Sequence, residues 1–311
     1  MRTSSSPYYF HSLYLNIFCH DKTLQFETGI IQITVLITLS TITDALTAMG
    51  VRAADHVMLH VSVKSIGWLV GGPDIIIRSL LGILTKQGTL MMYVGWEDGP
   101  YTMQGWDETR MRVYYEECPP FDPRTSRAVR KWSVVAELFR NWPGTLRSNH
   151  PDSSFCANGF LATHLTEKHP LKYGFGSESP LARLVKSGGK ILLIGAPFDT
   201  VTLLHHSEDR AKVPNKPTIQ YVLPITNVKG QKEWVHIEEY DTDKGIANDD
   251  ESSDWYFNKI LRDYIDRFTI PEHYVGKAKS FLFDAARLNK FAIQWMENRF
   301  GRVPPTSIDP H

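Results

Sequence analysis

The chain has 311 residues, and its 34 Lys and Arg side chains are balanced by 34 Asp and Glu side chains. This zero formal charge argues against nucleic acid as the main partner, because nucleic-acid-binding domains usually carry a basic excess. No stretch reaches the roughly 18–20 apolar residues that a membrane-spanning helix needs. The three cysteines, Cys19, Cys118 and Cys156, form neither a disulfide framework nor a metal-spaced pair. We therefore expect a cytoplasmic protein in a reducing compartment, without a membrane partner.

Hydrophobic periodicity and turn residues predict alternating helices and strands along most of the chain. In chain order the predicted elements are a helix over Asp44–Met49, a strand over His56–Val61, a helix that begins at Pro73, a strand over Gly88–Val94, a loop-rich segment over 96–130, a helix over Trp132–Phe139, a strand over Ser154–Ala157, a strand over Ile191–Ile194, a helix capped by Asp199 that ends near Lys212, a strand pair over Thr218–Pro224 and Lys232–Glu239, and closing helices over Asp254–Phe268 and His273–Phe300. Strand–helix–strand units of this kind build a parallel sheet, so the sequence predicts an α/β fold. We divide the chain into an N-terminal extension (1–38), a single domain (39–303) and a loose tail (304–311).

The segment after the strand Ile191–Ile194 carries the strongest candidate for chemistry. His205 is followed three and four positions later by Glu208 and Asp209, which lie on the same face of a helix. Either carboxylate could orient the imidazole. The neighbouring His206 is about 100° away around the helix, so we interpret it as structural. The alternative for His205 is a buried, hydrogen-bonded histidine that packs under the sheet.

Several common catalytic and cofactor motifs are missing from the sequence. It contains no GxSxG elbow, no GxGxxG or GxxxxGK[ST] phosphate loop and no HExxH pair. The two acids in Asp241-Thr242-Asp243 resemble the start of a calcium loop, but the third acid and the closing glutamate are absent. We therefore expect no metal site.

Three segments, taken in order, resemble the aminoglycoside 3-N-acetyltransferases, the antibiotic N-acetyltransferase family. The first, from Leu59 to Pro73, is similar to that family's VHxS…SxG…GGP segment. The second, Arg147 to Pro151, is similar to RSxHP. The third, Leu192 to Lys216, is similar to LLLGAP…TxLHxxE…xPNK. Glu178 departs from the family pattern, which has a glycine at its position in GxGSP.

The resemblance implies transfer of acetyl from acetyl-CoA, as co-substrate, to the 3-amino group of a cationic 2-deoxystreptamine aminoglycoside. It also implies an α/β/α sandwich with a mixed, largely parallel central sheet. Amide formation requires an unprotonated amine, and histidine is the natural general base near neutral pH. His205 is therefore the predicted base, and Glu208, which the matched motif includes, is the favoured partner.

The same segments suggest where the two substrates bind. Small residues and glycines allow a backbone to approach the phosphates of coenzyme A, and a helix that begins at Pro73 directs its positive end toward them. The predicted cofactor-binding residues are Ser62, Lys64, Ser65, Ile66, Gly67, Gly71, Gly72 and Pro73. A polycationic drug requires several carboxylates in one cleft. The predicted substrate-binding acids are Glu97, Asp98, Glu178, Asp199, Asp241 and Asp243.

Two other hypotheses remain at this point. One keeps the fold and acetyl-CoA but changes the acceptor to another small amine. The other is a non-catalytic protein that binds coenzyme A. The sequence does not indicate an oligomeric state.

Overall fold

The computed structural model describes residues 25–26, 29–30, 36–103, 105–246 and 255–301. Contacts divide the chain into two units, residues 1–35 and residues 36–311. In the first unit the described residues form two short antiparallel strands. The predicted tail over 304–311 and nearly all of the predicted extension over 1–38 lie outside the described residues.

The described residues contain eleven strands and eleven helices. The strands are β1 (Gln25–Phe26), β2 (Gly29–Ile30), β3 (His56–Val61), β4 (Thr89–Tyr93), β5 (Leu146–Arg147), β6 (Phe155–Gly159), β7 (Lys190–Ile194), β8 (Thr218–Thr226), β9 (Lys232–Tyr240), β10 (His273–Val275) and β11 (Ala278–Asp284). The helices are α1 (Leu39–Met49), α2 (Val63–Ile66), α3 (Asp74–Leu84), α4 (Pro100–Met103), α5 (Glu108–Glu117), α6 (Val134–Arg140), α7 (Ala162–Thr166), α8 (Pro180–Lys186), α9 (Leu203–Arg210), α10 (Tyr256–Phe268) and α11 (Ala285–Phe300), with one 3₁₀ turn over Phe198–Thr200.

A seven-stranded mixed sheet forms the centre of the second unit, in the order β10-β11-β7-β3-β4-β6-β5. The three central strands are parallel, since β3 pairs in parallel with both β4 and β7. The flanking pairs are antiparallel. The carboxyl ends of β3, β4 and β7 therefore meet at one edge of the sheet, which is where open α/β folds usually bind ligands.

Helices cover both faces of this sheet, so the side chains of each buried strand alternate between two cores. In β7, Leu192 and Ile194 pack with α1, α3 and α6, whereas Ile191 and Leu193 pack with helices α8 to α11. Both cores consist mainly of fully buried aliphatic and aromatic side chains. This layering confirms the predicted α/β/α sandwich with a mixed sheet.

A long β-hairpin, β8–β9, lies apart from the central sheet and pairs over nine residues on each strand. Its buried side chains Leu223, Val235 and Ile237 pack against Trp96 and Phe121 from the predicted loop-rich segment. That segment contains two helices, α4 and α5, which the sequence did not predict. The hairpin and the segment together form a third, smaller core beside the carboxyl edge of the sheet.

The prediction of one closing helix over His273–Phe300 is wrong in its first half. Residues His273–Val275 and Ala278–Asp284 form a hairpin, and the helix begins only at Ala285. The spacing of Val275, Ala278 and Phe281 resembles one face of a helix. Pairing of β11 with β7, which is distant in sequence, decides the structure instead.

The predicted capping role of Asp199 is also wrong. Asp199 lies in the exposed 3₁₀ turn, and helix α9 begins after Thr202, which has no side-chain capping bond. The turn at Pro197 extends the connection by several residues before the helix can start. Among the described residues, no helix is long and apolar enough to cross a membrane.

Gly159 is the glycine of the sheet whose backbone leaves least room for a side chain. Its φ is +119°, and a Cβ would collide with the carbonyl oxygen of Gly88. Gly159→Ala should lower the free energy of unfolding by roughly 2 kcal/mol or more, from strain and the required displacement. Urea unfolding followed by circular dichroism measures this difference.

The matched control is Gly82→Ala, at an exposed position in the last turn of α3, where an added Cβ meets nothing within 4 Å. Because alanine has the higher helix propensity, this variant should gain about 0.5–1 kcal/mol. Equal effects of the two substitutions would contradict this account of the β4–β6 contact.

Candidate active site

The loops that follow β3 and β7 are packed directly against each other at the carboxyl edge of the sheet. The backbone N–H of Ser62 donates to the carbonyl of Ile194 at 2.9 Å. The Ser65 hydroxyl donates to the carbonyl of Gly195 at 3.1 Å. Gly195 has φ +61°, and a Cβ there would lie 2.6 Å from Cβ of Ser65. Only glycine allows this close approach, which joins the two loops.

Helix α9 follows the second of these loops and carries His205 and Glu208. Nδ1 of His205 and Oε2 of Glu208 are 2.7 Å apart, within one helical turn. The Glu208 side chain is buried, and that burial raises its pKa, an effect opposed by the contact with His205. Its other oxygen, Oε1, has no hydrogen-bond partner among the described residues. The structure thus pairs His205 with Glu208 rather than with Asp209.

Aromatic side chains hold the imidazole of His205 in place. The ring of Phe175 is stacked on it, with 5.3 Å between centroids, and Phe257 meets it edge-on at 4.9 Å. The side chain of His205 keeps 21% of its surface exposed. His206 is buried and its Nδ1 lies 2.7 Å from the carbonyl oxygen of Phe175, which fits the structural interpretation of that residue.

Lys216 fixes the last turn of α9. Its ammonium donates to the carbonyl oxygens of Glu208 at 2.9 Å and Asp209 at 2.7 Å. It also lies 4.2 Å from the ring centre of Tyr240 on β9. A cation at the carboxyl end of a helix is favourable, and this one also ties α9 to the β8–β9 hairpin.

Beside Phe175 lies a cavity of about 350 Å³ with several acids in its wall. We refer to it as the acidic cavity. Its lining residues are Pro100, Met103, Met111, Asp152, Phe175, Ile219, Tyr221, Glu239, Tyr240, Asp241, Thr242 and Asp243. Phe175 both lines this cavity and stacks on His205. One aromatic ring therefore connects the cavity to the His205–Glu208 pair.

Asp152 is a buried acid of the cavity wall, and only one of its two carboxylate oxygens accepts a hydrogen bond. The hydroxyl of Tyr221 donates to its Oδ2 at 2.5 Å. Oδ1 is buried and has no hydrogen-bond partner among the described residues. Burial raises the pKa of Asp152 to about 6. An unpartnered acceptor of this kind favours an added donor, such as the ammonium of a ligand.

Glu239 is the second buried acid of the wall. Its Oε1 accepts a hydrogen bond from the backbone N–H of Gly174 at 2.8 Å and lies 3.6 Å from Nε2 of His150. Burial raises the pKa of Glu239 to about 8 and lowers that of His150 to about 3. Burial therefore disfavours the charged form of both groups, although the distance between them is that of an ion pair.

The structure separates the predicted substrate-binding acids. Asp241 and Asp243 line the acidic cavity. Glu97 accepts a hydrogen bond from the backbone N–H of Arg130 at 2.6 Å, and Asp98 lines a separate cavity against α5. The remaining two, Glu178 and Asp199, are exposed and outside the lining of the acidic cavity.

Sequence reasoning missed Asp152 and Glu239. Asp152 directly follows His150-Pro151 and precedes β6, which runs antiparallel to β4, so its position at the carboxyl edge could have been inferred from that pairing. Glu239 is the penultimate residue of β9 and ends the predicted strand Lys232–Glu239. No local pattern marks it as buried.

The predicted phosphate-binding loop has a backbone suited to an anion. Gly67, Gly71 and Gly72 have φ of +113°, +94° and +71°. Helix α3 begins after Pro73 without a side-chain cap. Lys64 is exposed, and Ser62 and Ser65 are half-buried in the junction with Gly195. No group of three or more His, Cys, Asp or Glu side chains within the described part of the chain could hold a metal ion.

A family model described as aminoglycoside 3-N-acetyltransferase matches residues 58–297. The chain belongs to this family. An aminoglycoside N(3)-acetyltransferase III from Pseudomonas aeruginosa is 47% identical over 258 residues, which cover 83% of this chain and 93% of that protein. The predicted enzyme class, an aminoglycoside N(3)-acetyltransferase, is confirmed.

Solved structures of family members superpose on the chain. AAC-IIIb in a binary complex with CoASH has a TM-score of 0.77 and 38% identity, and the match covers 87% of this chain and 100% of that one. AAC-VIa bound to sisomicin has a TM-score of 0.79 and 34% identity, and the match covers 86% of this chain and 100% of that one. The observed fold is thus the family's fold.

The raised pKa of Glu239 predicts a pH-dependent stability. In the unfolded chain a glutamate titrates near pH 4.3, whereas the folded-state pKa is about 8. The stabilisation from protonated Glu239 is therefore fully present below about pH 4 and is lost as the pH rises to about 8. Glu239→Gln cannot titrate, so the unfolding free energy of the wild type relative to this variant should fall by up to a few kcal/mol across that range.

Urea unfolding at pH values from about 5 to 8.5 measures this difference. Glu178→Gln is the control, because Glu178 is exposed and should show no such trend. A difference between wild type and Glu239→Gln that stays constant with pH would contradict the buried, protonated state of Glu239.

Proposed function

We propose that the protein transfers the acetyl group of acetyl-CoA to the 3-amino group of a 2-deoxystreptamine aminoglycoside, with His205 as the general base. The observation that carries this proposal is the His205–Glu208 contact of 2.7 Å, which Phe175 connects to the acidic cavity. The relatives that bind CoASH and sisomicin support both substrates. Such an activity would give antibiotic resistance.

The acidic cavity is the proposed binding site of the aminoglycoside. Its wall combines Asp152, Glu239, Asp241 and Asp243 with aromatic and methionine side chains. Amino sugars carry ammonium groups on a ring skeleton that is partly apolar, and this lining matches both features. The unpartnered Oδ1 of Asp152 is the acceptor that an entering ammonium would satisfy.

The loop over 62–73 is the proposed site for the phosphates of acetyl-CoA. The observed glycine conformations and the uncapped start of α3 fit this ligand. Acetyl-CoA supplies the acetyl group as an activated thioester. The Ser65–Gly195 junction holds this loop beside the segment that leads into α9, so the same edge of the sheet serves both substrates.

His205 performs the proton transfer in this proposal. The nitrogen attacks the thioester carbonyl as a neutral amine and must lose one proton to become the amide. Because Nδ1 of His205 contacts Glu208, Nε2 is the nitrogen that accepts this proton from the amine. The Glu208 carboxylate stabilises the imidazolium that results, and Phe175 and Phe257 fix the plane of the ring. When the C–S bond breaks, the departing thiolate takes up this proton from His205 and leaves as the thiol of coenzyme A.

A covalent route through cysteine has no support in the described residues. Cys118 and Cys156 are both buried as free thiols. Burial raises the pKa of Cys156 to about 12 and also raises that of Cys118. Because the thiolate is the nucleophile, neither is suited to carry an acetyl group. Direct transfer from donor to acceptor is therefore favoured.

The proposed activity is tested by incubating the protein with acetyl-CoA and gentamicin while following the release of free thiol. His205→Ala should lower kcat by ~10²–10⁴, since general-base catalysis is typically worth that much. Binding of coenzyme A and of gentamicin, measured by calorimetry, should be unchanged. A substantial loss of substrate binding instead of kcat would argue against the role of His205.

The matched control is His164→Ala, because His164 is an exposed histidine on α7. It should retain full activity. Failure of the wild type to release thiol with any deoxystreptamine drug would overturn the proposed function. Thiol release with unrelated small amines alone would show a different acceptor.

The role of Asp152 in drug binding leads to a separate expectation. Asp152→Asn keeps the shape of the side chain and its contact with Tyr221 but removes the negative charge. The Kd for gentamicin should rise by about tenfold, in line with the loss of one charge-assisted hydrogen bond. The Kd for coenzyme A should stay the same.

Calorimetric titration of both ligands into Asp152→Asn and the wild type measures this. Asp199→Asn is the control, since Asp199 is exposed and outside the lining of the acidic cavity. An unchanged Kd for gentamicin in Asp152→Asn would remove Asp152 from the binding site.

A further inference from the structure

The hairpin β10–β11, a segment predicted from the sequence to be helical, packs on the proposed phosphate-binding loop. The backbone N–H of Lys277, at the hairpin turn, donates to the carbonyl of Ile66 at 2.9 Å. The neighbouring Gly276 has φ +59°, and a Cβ there would lie 2.5 Å from the same carbonyl oxygen. The loop and the hairpin turn therefore form one continuous surface.

Lys277 extends its side chain over this surface. Its Cδ is 4.0 Å from the position of a Cβ on Gly67, so the aliphatic stem runs along the glycine turn. Lys277 is exposed, and no ion pair joins it to another described residue. Lys279, two positions further on the same hairpin, is by contrast paired with Glu272 at 2.7 Å. Lys277 thus provides an uncompensated positive charge beside the loop.

Trp68 provides an exposed aromatic ring on the same loop. Its relative exposure is 70%, although it directly follows Gly67. The backbone on either side is fixed, because Ile37 donates to the carbonyl of Trp68 at 3.0 Å and Val70 donates to that of Ile37 at 2.8 Å. A large apolar ring held toward solvent by a fixed backbone is a ready surface for stacking.

The charges of the loop distinguish its two ends. Asp74 lies in the first turn of α3 and places a negative charge close to Gly72. The exposed lysines Lys64 and Lys277 lie at the other end, around Ile66 and Gly67. A further phosphate, beyond those placed at the start of α3, is therefore favoured on the side of the two lysines.

We propose that Trp68 and Lys277 bind the 3′-phosphoadenosine end of coenzyme A, with the indole stacked on the adenine and the ammonium of Lys277 paired with the 3′-phosphate. This assignment rests on the proposed use of acetyl-CoA. Coenzyme A is the ligand whose adenine and ribose phosphate match an aromatic ring next to a free cation. The pantetheine arm would then extend along the loop toward Ser62 and the Ser65–Gly195 junction.

Calorimetry with two forms of the cofactor tests the Lys277 contact. Dephospho-CoA lacks only the 3′-phosphate, so the wild type should bind it about fivefold more weakly than coenzyme A, the loss expected for one exposed ion pair. In Lys277→Ala the two Kd values should become equal, with the Kd for dephospho-CoA unchanged. Lys279→Ala, the matched control from the same hairpin, should keep the wild-type ratio.

A second substitution tests the stacking contact. Trp68→Ala should raise the Kd values for coenzyme A and for dephospho-CoA by the same factor, roughly tenfold for the loss of one stacked base. It should leave the Kd for acetylpantetheine, which lacks the nucleotide, unchanged. Thermal unfolding should match the wild type, because the ring is exposed.

Each outcome bears on a different claim. Absence of coenzyme A binding by the wild type would overturn the proposed function itself. If the wild type binds coenzyme A no more tightly than dephospho-CoA, only the Lys277 contact is overturned. The same holds if Lys277→Ala keeps the wild-type preference for coenzyme A over dephospho-CoA. A loss of acetylpantetheine binding in Trp68→Ala equal to the loss for coenzyme A would overturn the position of the indole on the adenine.

Discussion

The parallel pairing of β3 with β7 is the constraint on which the candidate site depends. The register places Val61 opposite Ile194, so both strands end at the same level. The loop after β3 and the segment that leads into α9 therefore start side by side, joined through Ser65 and Gly195. A shift of register by one residue would exchange the buried faces of a strand, and would also move His205 away from the proposed cofactor loop.

Much of the central sheet could be predicted because its strands are marked locally. The runs His56–Val61 and Ile191–Ile194 are short, apolar and bounded by turn residues, which is typical of buried strands. The pair His205 and Glu208 was accessible for the same reason, since helical spacing alone brings them together. Helical spacing alone does not distinguish Glu208 from Asp209, because both residues lie within reach on one helical face. The family motif favoured Glu208, and the structure has the contact with Glu208.

The parts that sequence analysis missed depend on contacts between distant segments. The hairpin β10–β11 forms because β11 pairs with β7, about 90 residues away in the chain. Glu239 is buried because Gly174 and His150 surround it, and neither is near it in sequence. Its acidic neighbourhood in the sequence is typical of an exposed loop. Burial of a single carboxyl therefore cannot be deduced from local composition.

The carboxyls of the site form two groups, those that line the acidic cavity and Glu208, which contacts His205. This division bears on a conflict between binding a cation and deprotonating it. A polycationic substrate needs negative charge for binding, yet negative charge near an amine stabilises its ammonium form and opposes attack. Burial raises the pKa of Asp152 to about 6 and that of Glu239 to about 8. The cavity therefore holds less negative charge before the drug arrives than its four acids suggest.

Glu208 belongs to the second group, because it contacts the proposed base and not the cavity. Its burial raises its pKa, but the hydrogen bond to His205 and the nearby ammonium of Lys216 oppose that shift. In the proposed mechanism its charge is most favourable when His205 holds the proton of the amine. Negative charge is thus available where the imidazolium forms and is reduced where the amine must become neutral. In the proposed mechanism, this separation allows one site to hold a cation and to deprotonate it, because the carboxyl that contacts His205 is not among those that line the acidic cavity.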